Sequence, residues 1–469
     1  MMILINQIDS IIGCIKSKAV FRVRDMTEGN VTGHMIRFAI PLMIGNVFQQ
    51  LYGAVSSIVV GRYLGKEALA AMGTAVPIMN ILLFLLVGMT MGASILMAEY
   101  FGAKDTARLK SELATSIVAG LVFTVVLSAV AALAIVPALR IINTPEVIIP
   151  QAAAYLRIIF AGLAFAFLYN LLSSALRSVG EATMPLVFLV LSSVLNIVLA
   201  VLFVGRLGFG VRGAALATVI AEAAAMAACA FYIWARVPDL RLRLWELRPE
   251  RALLSRTISY SWVSGVQQTF LYVGIFLVQG AVNPLGVDAI AAFNAVSRVD
   301  GFILAPSDSL ALSLMTFISQ NRGAGRNERI REGVGRSLAI NVAYTSAVAI
   351  GIYFGAHRLM SLFLDAGEVS AIGIGVGYMR VMCAFFIVSA FCNTLQGYFR
   401  GMGLMRIALY ATVVQIPVRV WISYALAGRL GLNAVALAVG VGWICMALYQ
   451  RYEYGKCTLP RLERVSQRG

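Results

Sequence analysis

Hydrophobic stretches of roughly 20 residues recur from one end of the chain to the other, each long enough to cross a hydrocarbon core about 30 Å thick. Lipid offers the backbone no hydrogen-bond partners, so segments of this length satisfy their own N–H and C=O groups as α-helices. Only 13% of the 469 residues are charged and 60% are hydrophobic, with a mean hydropathy of +0.85. A soluble domain carries about a quarter charged residues. The apolar segments are spread along the whole length, which excludes a soluble enzyme held by one anchor.

Hydropathy predicts helices over 35–60, 68–98, 112–136, 151–176, 183–204, 212–235, 257–280, 287–319, 335–355, 371–399, 406–428 and 432–451. The second, eighth and tenth exceed what a membrane needs, so tilt, kinking or protrusion takes up the excess. Pro77 and Pro306 are the expected kink points. Around these spans the sequence divides into an N-terminal extension (1–34), an N-lobe (35–236), a linker (237–256), a C-lobe (257–451) and a tail (452–469).

Of the 38 Lys and Arg residues, only Arg62, Lys66, Arg140, Arg206, Arg212, Arg358 and Arg429 fall in one set of alternate loops. Arg37, Arg157, Arg298, Arg380 and Arg419 fall inside predicted helices, and the rest lie in the other loops and at the two ends. Basic loops stay cytoplasmic, so both termini are expected in the cytoplasm of a multi-pass plasma-membrane protein. The same distribution explains the net charge of +16 without invoking nucleic acid. In the extension, Lys16, Lys18, Arg22 and Arg24 follow a short apolar stretch, the reverse of a cleaved signal's order, and Met26 is an alternative start. Cys14, Cys229, Cys383, Cys392, Cys445 and Cys457 form no CxxC pair and read as small packing residues.

The chain repeats itself. Asn46-Val-Phe-Gln-Gln50 aligns with Ser264-Gly-Val-Gln-Gln268, and Leu64-Gly-Lys-Glu-Ala-Leu-Ala-Ala71 with Leu285-Gly-Val-Asp-Ala-Ile-Ala-Ala292. Gly102, Ala103 and Arg108 match Gly323, Ala324 and Arg329; Asn170, Arg177 and Gly180 match Asn393, Arg400 and Gly403; Gly205-Arg-Leu-Gly208 matches Gly428-Arg-Leu-Gly431. Ordered matches at a nearly constant offset imply duplication. Six helices per copy return the chain to its starting side, so the halves run parallel and a binding cavity is expected at their interface. The expected fold is an all-α membrane protein of about twelve helices in two homologous six-helix bundles around a central cavity.

Polar residues inside the spans are the candidates for substrate or ion binding. Asn46, Gln49, Gln50, Gly53 and Ser57 share one face of the first helix, and Ser264, Gln267 and Gln268 begin the same stripe in the seventh. Interhelical hydrogen bonding, worth about 0.6 kcal/mol each, is the alternative to lining a wet cavity. A charge at mid-membrane costs at least roughly 2.5–3.5 kcal/mol, so Asp300, Asp308 and Glu222 carry more weight. Asp300 is the leading candidate for a proton, sodium or a cationic substrate, with a structural salt bridge to Arg419 or Arg298 as its alternative. Glu99, His34 and His357 read as interfacial or solvated.

Nothing in the sequence points to an enzyme. It has no GxxxxGK[ST] loop for ATP, no HExxH and no nucleophile–base constellation. Gly373-Ile-Gly-Val-Gly377 begins a membrane helix and follows no strand, so it is no dinucleotide site. No cofactor is expected.

The words Thr27-Glu-Gly-Asn30, Pro41-Leu-Met-Ile-Gly-Asn46, Val60-Gly-Arg-Tyr-Leu-Gly65, Tyr100-Phe-Gly-Ala-Lys-Asp105, Arg177-Ser-Val-Gly180 and Gln320-Asn-Arg-Gly-Ala324 make the chain resemble the multidrug and toxic-compound extrusion (MATE) family from about Thr27 to Tyr449. The resemblance implies a monomeric, alternating-access exporter of small organic cations or amphipathic drugs through the bilayer, driven by uptake of H⁺ or Na⁺. Each inward unit charge gains roughly 2.3 kcal/mol per 100 mV. Two positions depart from the family: Val55-Ser56-Ser57 stands where many relatives have Val-Asp-Ser, and Asn196 is followed by Ala200 where they have Asn-x-x-x-Asp. The seventh helix also lacks the glutamate of the sodium site proposed for some relatives. Coupling moved to Asp300 or Glu222, a substrate other than a typical cationic drug, or a weakly coupled facilitator are the readings left open; Asn46, Gln49, Gln50, Ser56, Asn170, Asn196, Gln267, Gln268 and Arg419 complete the candidate substrate- or ion-binding residues. A lipid-linked-sugar flippase of the same superfamily is the other alternative.

Overall fold

The computed structural model describes residues 25–466 except 143 and 366; the side chains of 51–58, 66, 244 and 458–466 are also outside that description. Most of the extension therefore lies outside the described residues, as does the side chain of Ser56.

Among the described residues the secondary structure is helical, without strands. The long helix Val31–Gly102 divides at Gly65 into α1 and α2. There follow α3 (Thr106–Ile141), α4 (Ile149–Ser178), α5 (Thr183–Ala200, continued by a π-helical turn to Arg206) and α6 (Gly210–Arg236). The second half holds α7 (Arg251–Val282), α8 (Val287–Gly323), α9 (Asn327–Met360), α10a (Val369–Cys383), α10b (Phe386–Gly401), α11 (Met405–Leu430) and α12 (Leu432–Ser466). Asn30 caps α1 by accepting from Gly33 N at 2.9 Å, and Asp105 caps α3 by accepting from Arg108 N at 2.9 Å. Eleven helices are long and apolar enough to cross a membrane, or twelve with α10a and α10b as one bent span.

The duplication is written in the backbone. Gly65 (φ 78°, ψ −170°) ends α1 and Gly286 (φ 96°, ψ 173°) precedes α8, equivalent places in the two halves. That region of φ/ψ space is essentially closed to residues with a Cβ, so glycine is required at both breaks. Positive φ recurs at the matched turn pairs Lys104 and Gly325, Gly180 and Gly403, and Gly208 and Gly431.

The kink differs from the sequence expectation. Helical structure runs through Pro77 and Pro306 without interruption, whereas the tenth span, expected as one helix over 371–399, bends by 57° at Ala384 and Phe385. Neither residue is a helix breaker. A Cβ on Gly440 of α12 would meet the Phe385 ring at 2.3 Å, so that ring lies directly on bare helix backbone, and the contact fixes the break.

Each half has its own core. Leu86, Met97, Leu113, Phe160 and Ile233 pack among α2, α3, α4 and α6, and Val296, Met360, Tyr378 and Val439 pack among α8, α9, α10a and α12. A third cluster joins the halves at the face carrying both described ends. There Met26, Met35 and Phe38 meet Leu314, Phe317, Ile318, Tyr398 and Phe399. Side chains such as Val126, Leu133, Phe354 and Trp421 are exposed on the outside, the apolar coat that a hydrocarbon solvent demands.

Candidate transport pathway and inter-lobe seal

At the termini face α2 crosses α8 with only backbone between them. A Cβ on Gly102 would stand 1.9 Å from the Gln320 carbonyl oxygen, and one on Gly323 would stand 1.9 Å from that of Glu99. α2 meets α7 almost as closely, since a Cβ on Gly88 or Gly92 would lie 2.5 Å from the backbone of Ser264 or Tyr260. The Glu99 carboxylate accepts hydrogen bonds from Arg256 of α7 at 2.7 Å and from Arg322 of α8, tying the N-lobe to two helices of the C-lobe. Gln320, the equivalent of Glu99, accepts from Met26 N at 2.9 Å and donates to the Ser178 carbonyl at 2.7 Å.

The segment entering each half docks on the other half. Asn321 and Arg329 donate to the Met26 carbonyl at 3.2 and 3.1 Å, holding the approach to α1 against α8 and α9. In return Glu250 N donates to Thr115 at 3.0 Å, Ser111 donates to the Glu250 carboxylate at 2.5 Å, and Thr257 contacts the fully buried Glu112 of α3 at 2.9 Å. The lobes are closed against each other on this face.

Polar groups gather deeper between the lobes. Asn46 of α1 donates to Ser309 of α8 at 3.2 Å, bridging the halves near mid-depth. Gln49 and Gln50 are exposed, and a Cβ on Gly301 of α8 would meet Gln50 Nε2 at 2.6 Å. Asp308 is exposed in the middle of α8, although its neighbours Ser307 and Ser309 are each 1% accessible. Intramembrane carboxylates of this kind face the bundle interior or a wet cavity. Asp308 accepts from Asn393 Nδ2 at 3.0 Å, and Asn393 also donates to Ser307 at 2.9 Å. Arg400 lies within electrostatic reach of Asp308 and donates to Gln268 at 3.4 Å.

Asp300 is half-buried and within electrostatic reach of Arg419 and Tyr378. Among the described residues it forms no ion pair within 4 Å with Arg419 or Arg298. The Nε atoms of Arg419 and Arg400 are enclosed without a hydrogen-bond partner among the described residues. In the N-lobe, Glu222 is half-buried, its carboxylate makes no ion pair within 4 Å among the described residues, and Tyr169 is within its electrostatic reach. Asn170 is half-buried and donates to the Ala166 carbonyl of its own helix at 2.9 Å.

Two sequence candidates knit helices within a lobe. Asn196 is 2% exposed and donates to Thr218 of α6 at 3.0 Å. Gln267 is fully buried and donates to the Ala408 carbonyl at 2.8 Å, with Thr412 at 2.9 Å and Gln396 at 3.2 Å also in reach. Sequence reasoning passed over Arg256, Arg322, Gln320, Glu112 and Arg400. The signal for the last was its pairing with Arg177 in the repeat. The seal's partners are 157 and 223 residues apart, and no local pattern joins them. Among the described residues no three of His, Cys, Asp and Glu gather as they would around a metal ion.

Two parallel, pseudo-symmetric helical lobes with a polar interface sealed at one end define a polytopic membrane transporter. The MatE family model matches residues 41–202 and again 264–425, one match per lobe, and the chain belongs to that family of transporters. It is 30% identical over 350 residues to the probable multidrug resistance protein YoeA of Bacillus subtilis, spanning 73% of this chain and 75% of that one. The probable multidrug resistance protein YpnP of the same organism is 27% identical over 92% of this chain and 97% of its own. The fold superposes on an outward-facing multidrug resistance MATE family transporter of the MOP superfamily with a TM-score of 0.85, covering 96% of this chain and 99% of that one at 24% identity.

Proposed function

We propose that this multidrug-efflux family member exports small organic cations and amphipathic compounds by alternating access, driven by inward movement of H⁺ or Na⁺. The observation that carries the reading is a polar interface between the lobes, closed at the termini face by Glu99, Arg256, Arg322 and Gln320. The Lys and Arg distribution supports a cytoplasmic position for that face in the plasma membrane, so this conformer is closed to the cytoplasm. In this reading residues 35–236 and 257–451 rock as units of a monomer about the linker 237–256. The linker's last turn is already part of α7.

Asp300 is the proposed coupling residue, with Asp308 and Glu222 as further ion or substrate contacts. It has Arg419 and Tyr378 within electrostatic reach but no ion pair within 4 Å among the described residues. Dye transport into inverted vesicles, under an imposed proton gradient and then a sodium gradient, tests the reading. Gradient-driven uptake that is lost in Asp300→Asn supports coupling there. Uptake with unchanged gradient dependence removes Asp300 from that role. The enclosed Arg400 and Arg419 favour a second reading, a substrate that also carries an acidic group. Transport of an anionic dye in preference to a cationic one would select it.

A further inference from the structure

The end of α6 and the linker between the lobes carry a surface that the transport reading leaves unused. Arg236, Arg241, Arg243, Arg248 and Arg251 are all exposed, and among the described residues none forms an ion pair within 4 Å. Of the acidic neighbours, Glu246 and Glu250 are engaged elsewhere. The Glu246 carboxylate accepts from the Arg243 backbone N–H at 2.7 Å, and Glu250 is bound to Ser111; Asp239 is half-exposed. The arginines instead lie on aromatic faces, with Arg241 4.7 Å from the Trp234 ring centroid and Arg243 5.2 Å from that of Trp245. Both rings are largely exposed, at 55% and 65%.

The segment is held in place from beneath. Val237 and Leu240 are each 1% exposed and belong with Leu253 to the N-lobe core. The linker is thus a pinned, folded strap that, together with Trp234 at the end of α6, presents two tryptophans and guanidinium groups without an ion pair among the described residues. Tryptophan favours the level of the lipid headgroups, and guanidinium binds phosphate through paired N–H donors. Stacking on an indole leaves those edge donors free.

We infer that this strap is a binding surface for anionic phospholipid headgroups. Trp234 and Trp245 seat it at the interface, and Arg241, Arg243 and Arg248 engage the phosphates. Each Lys or Arg near an anionic surface is worth about fivefold in association. The strap joins the two lobes, so bound lipid would hold it against the membrane as they rock.

The test uses the full chain with Trp234 and Trp245 as its only tryptophans, Trp262, Trp421 and Trp443 replaced by Phe, in phosphatidylcholine vesicles containing phosphatidylglycerol. Brominated forms of each lipid are offered in turn as quenchers. Several-fold stronger quenching by brominated phosphatidylglycerol is expected, falling toward equality in the R241Q/R243Q/R248Q variant while brominated phosphatidylcholine quenches as before. Equal quenching by both lipids in the parent chain would overturn the inference, because the two rings would then sit in the membrane without headgroup selection. So would a preference that survives the triple substitution. Dye transport measured on the same vesicles shows that the variant is folded.

Discussion

If the Glu99 carboxylate holds the lobes together at the termini face, Glu99→Gln should shift the protein toward a form open on that face. Glu99 and Arg322 are 20% and 17% exposed, and Arg256 is 40% exposed. A partly buried hydrogen bond to a charged group contributes about 1.5–3 kcal/mol. The Arg256 pair, more than a third exposed, is discounted to about 0.5 kcal/mol. Taking the low end for Arg322 gives about 2 kcal/mol, or roughly 30-fold in the ratio of closed to open forms. Spin labels at Ala107→Cys and Glu328→Cys, exposed and equivalent positions on α3 and α9, would read the separation on a background free of native cysteine. The longer-distance population should grow in Glu99→Gln and grow again in the R256Q/R322Q variant. High salt should reproduce only the Arg256 share, because the Arg322 pair is screened less. Identical distance distributions in all three proteins would refute the carboxylate's part in the seal.

Gly102→Ala and Gly323→Ala should each open the same face without any change of charge. A methyl group 1.9 Å from a carbonyl oxygen forces the helices apart by more than an ångström before an ordinary C···O contact is regained; the same spin-label pair would report it. Gly65→Ala and Gly286→Ala meet no neighbouring atom, yet their backbone angles should cost about 1–3 kcal/mol and lower the midpoint of thermal unfolding. Gly73→Ala, in open space within α2, should leave the midpoint equal or raise it. Gln267→Ala should destabilise the C-lobe by about 1–3 kcal/mol, since buried groups of Thr412 and Gln396 lose their partner. Its ratio of dye to gradient dependence should stay unchanged in vesicle transport, because it packs inside the lobe.

The spans and the duplication were legible because hydropathy acts locally and the repeat retains its turn glycines. Gly65 and Gly286 stand within aligned words of the sequence and prove to be aligned breaks of the backbone. The bend of the tenth span was not legible. It depends on Phe385 lying on Gly440, more than fifty residues away, whereas Pro77 and Pro306 passed into continuous helix. The polar stripe of α7 shows the same limit at a finer scale. Gln267 and Gln268 are consecutive amides, yet one is fully buried among α10b and α11 while the other is half-buried and accepts from Arg400. Which of two adjacent residues faces a partner helix is set by how the helices pack, and periodicity gives only the stripe.

The two lobes share a backbone and divide the chemistry. At the crossing on the termini face, the glycines Gly102 and Gly323 are equivalent and make equivalent approaches. The side chains one turn earlier are not alike. Glu99 gathers two arginines, while Gln320 bonds the backbone at Met26 and Ser178. The membrane interior repeats this division: Asp300, Asp308 and Arg419 stand where the first half has Met79, Val87 and Asn196, and Glu222 stands where the second has Cys445. A duplicated bundle must keep small residues where its backbones touch, because any Cβ there separates the lobes. Where side chains face a wet interface that constraint is absent, and charge can be placed in one lobe alone. In the proposed coupling at Asp300, charge confined mostly to the C-lobe would make ion binding there sensitive to the position of the N-lobe, whose Asn46 and Gln50 amides reach across to α8. An ion bound on one side of such an interface can bias how the two sides rock, which identical sites in both lobes would do less well, since each would pull equally.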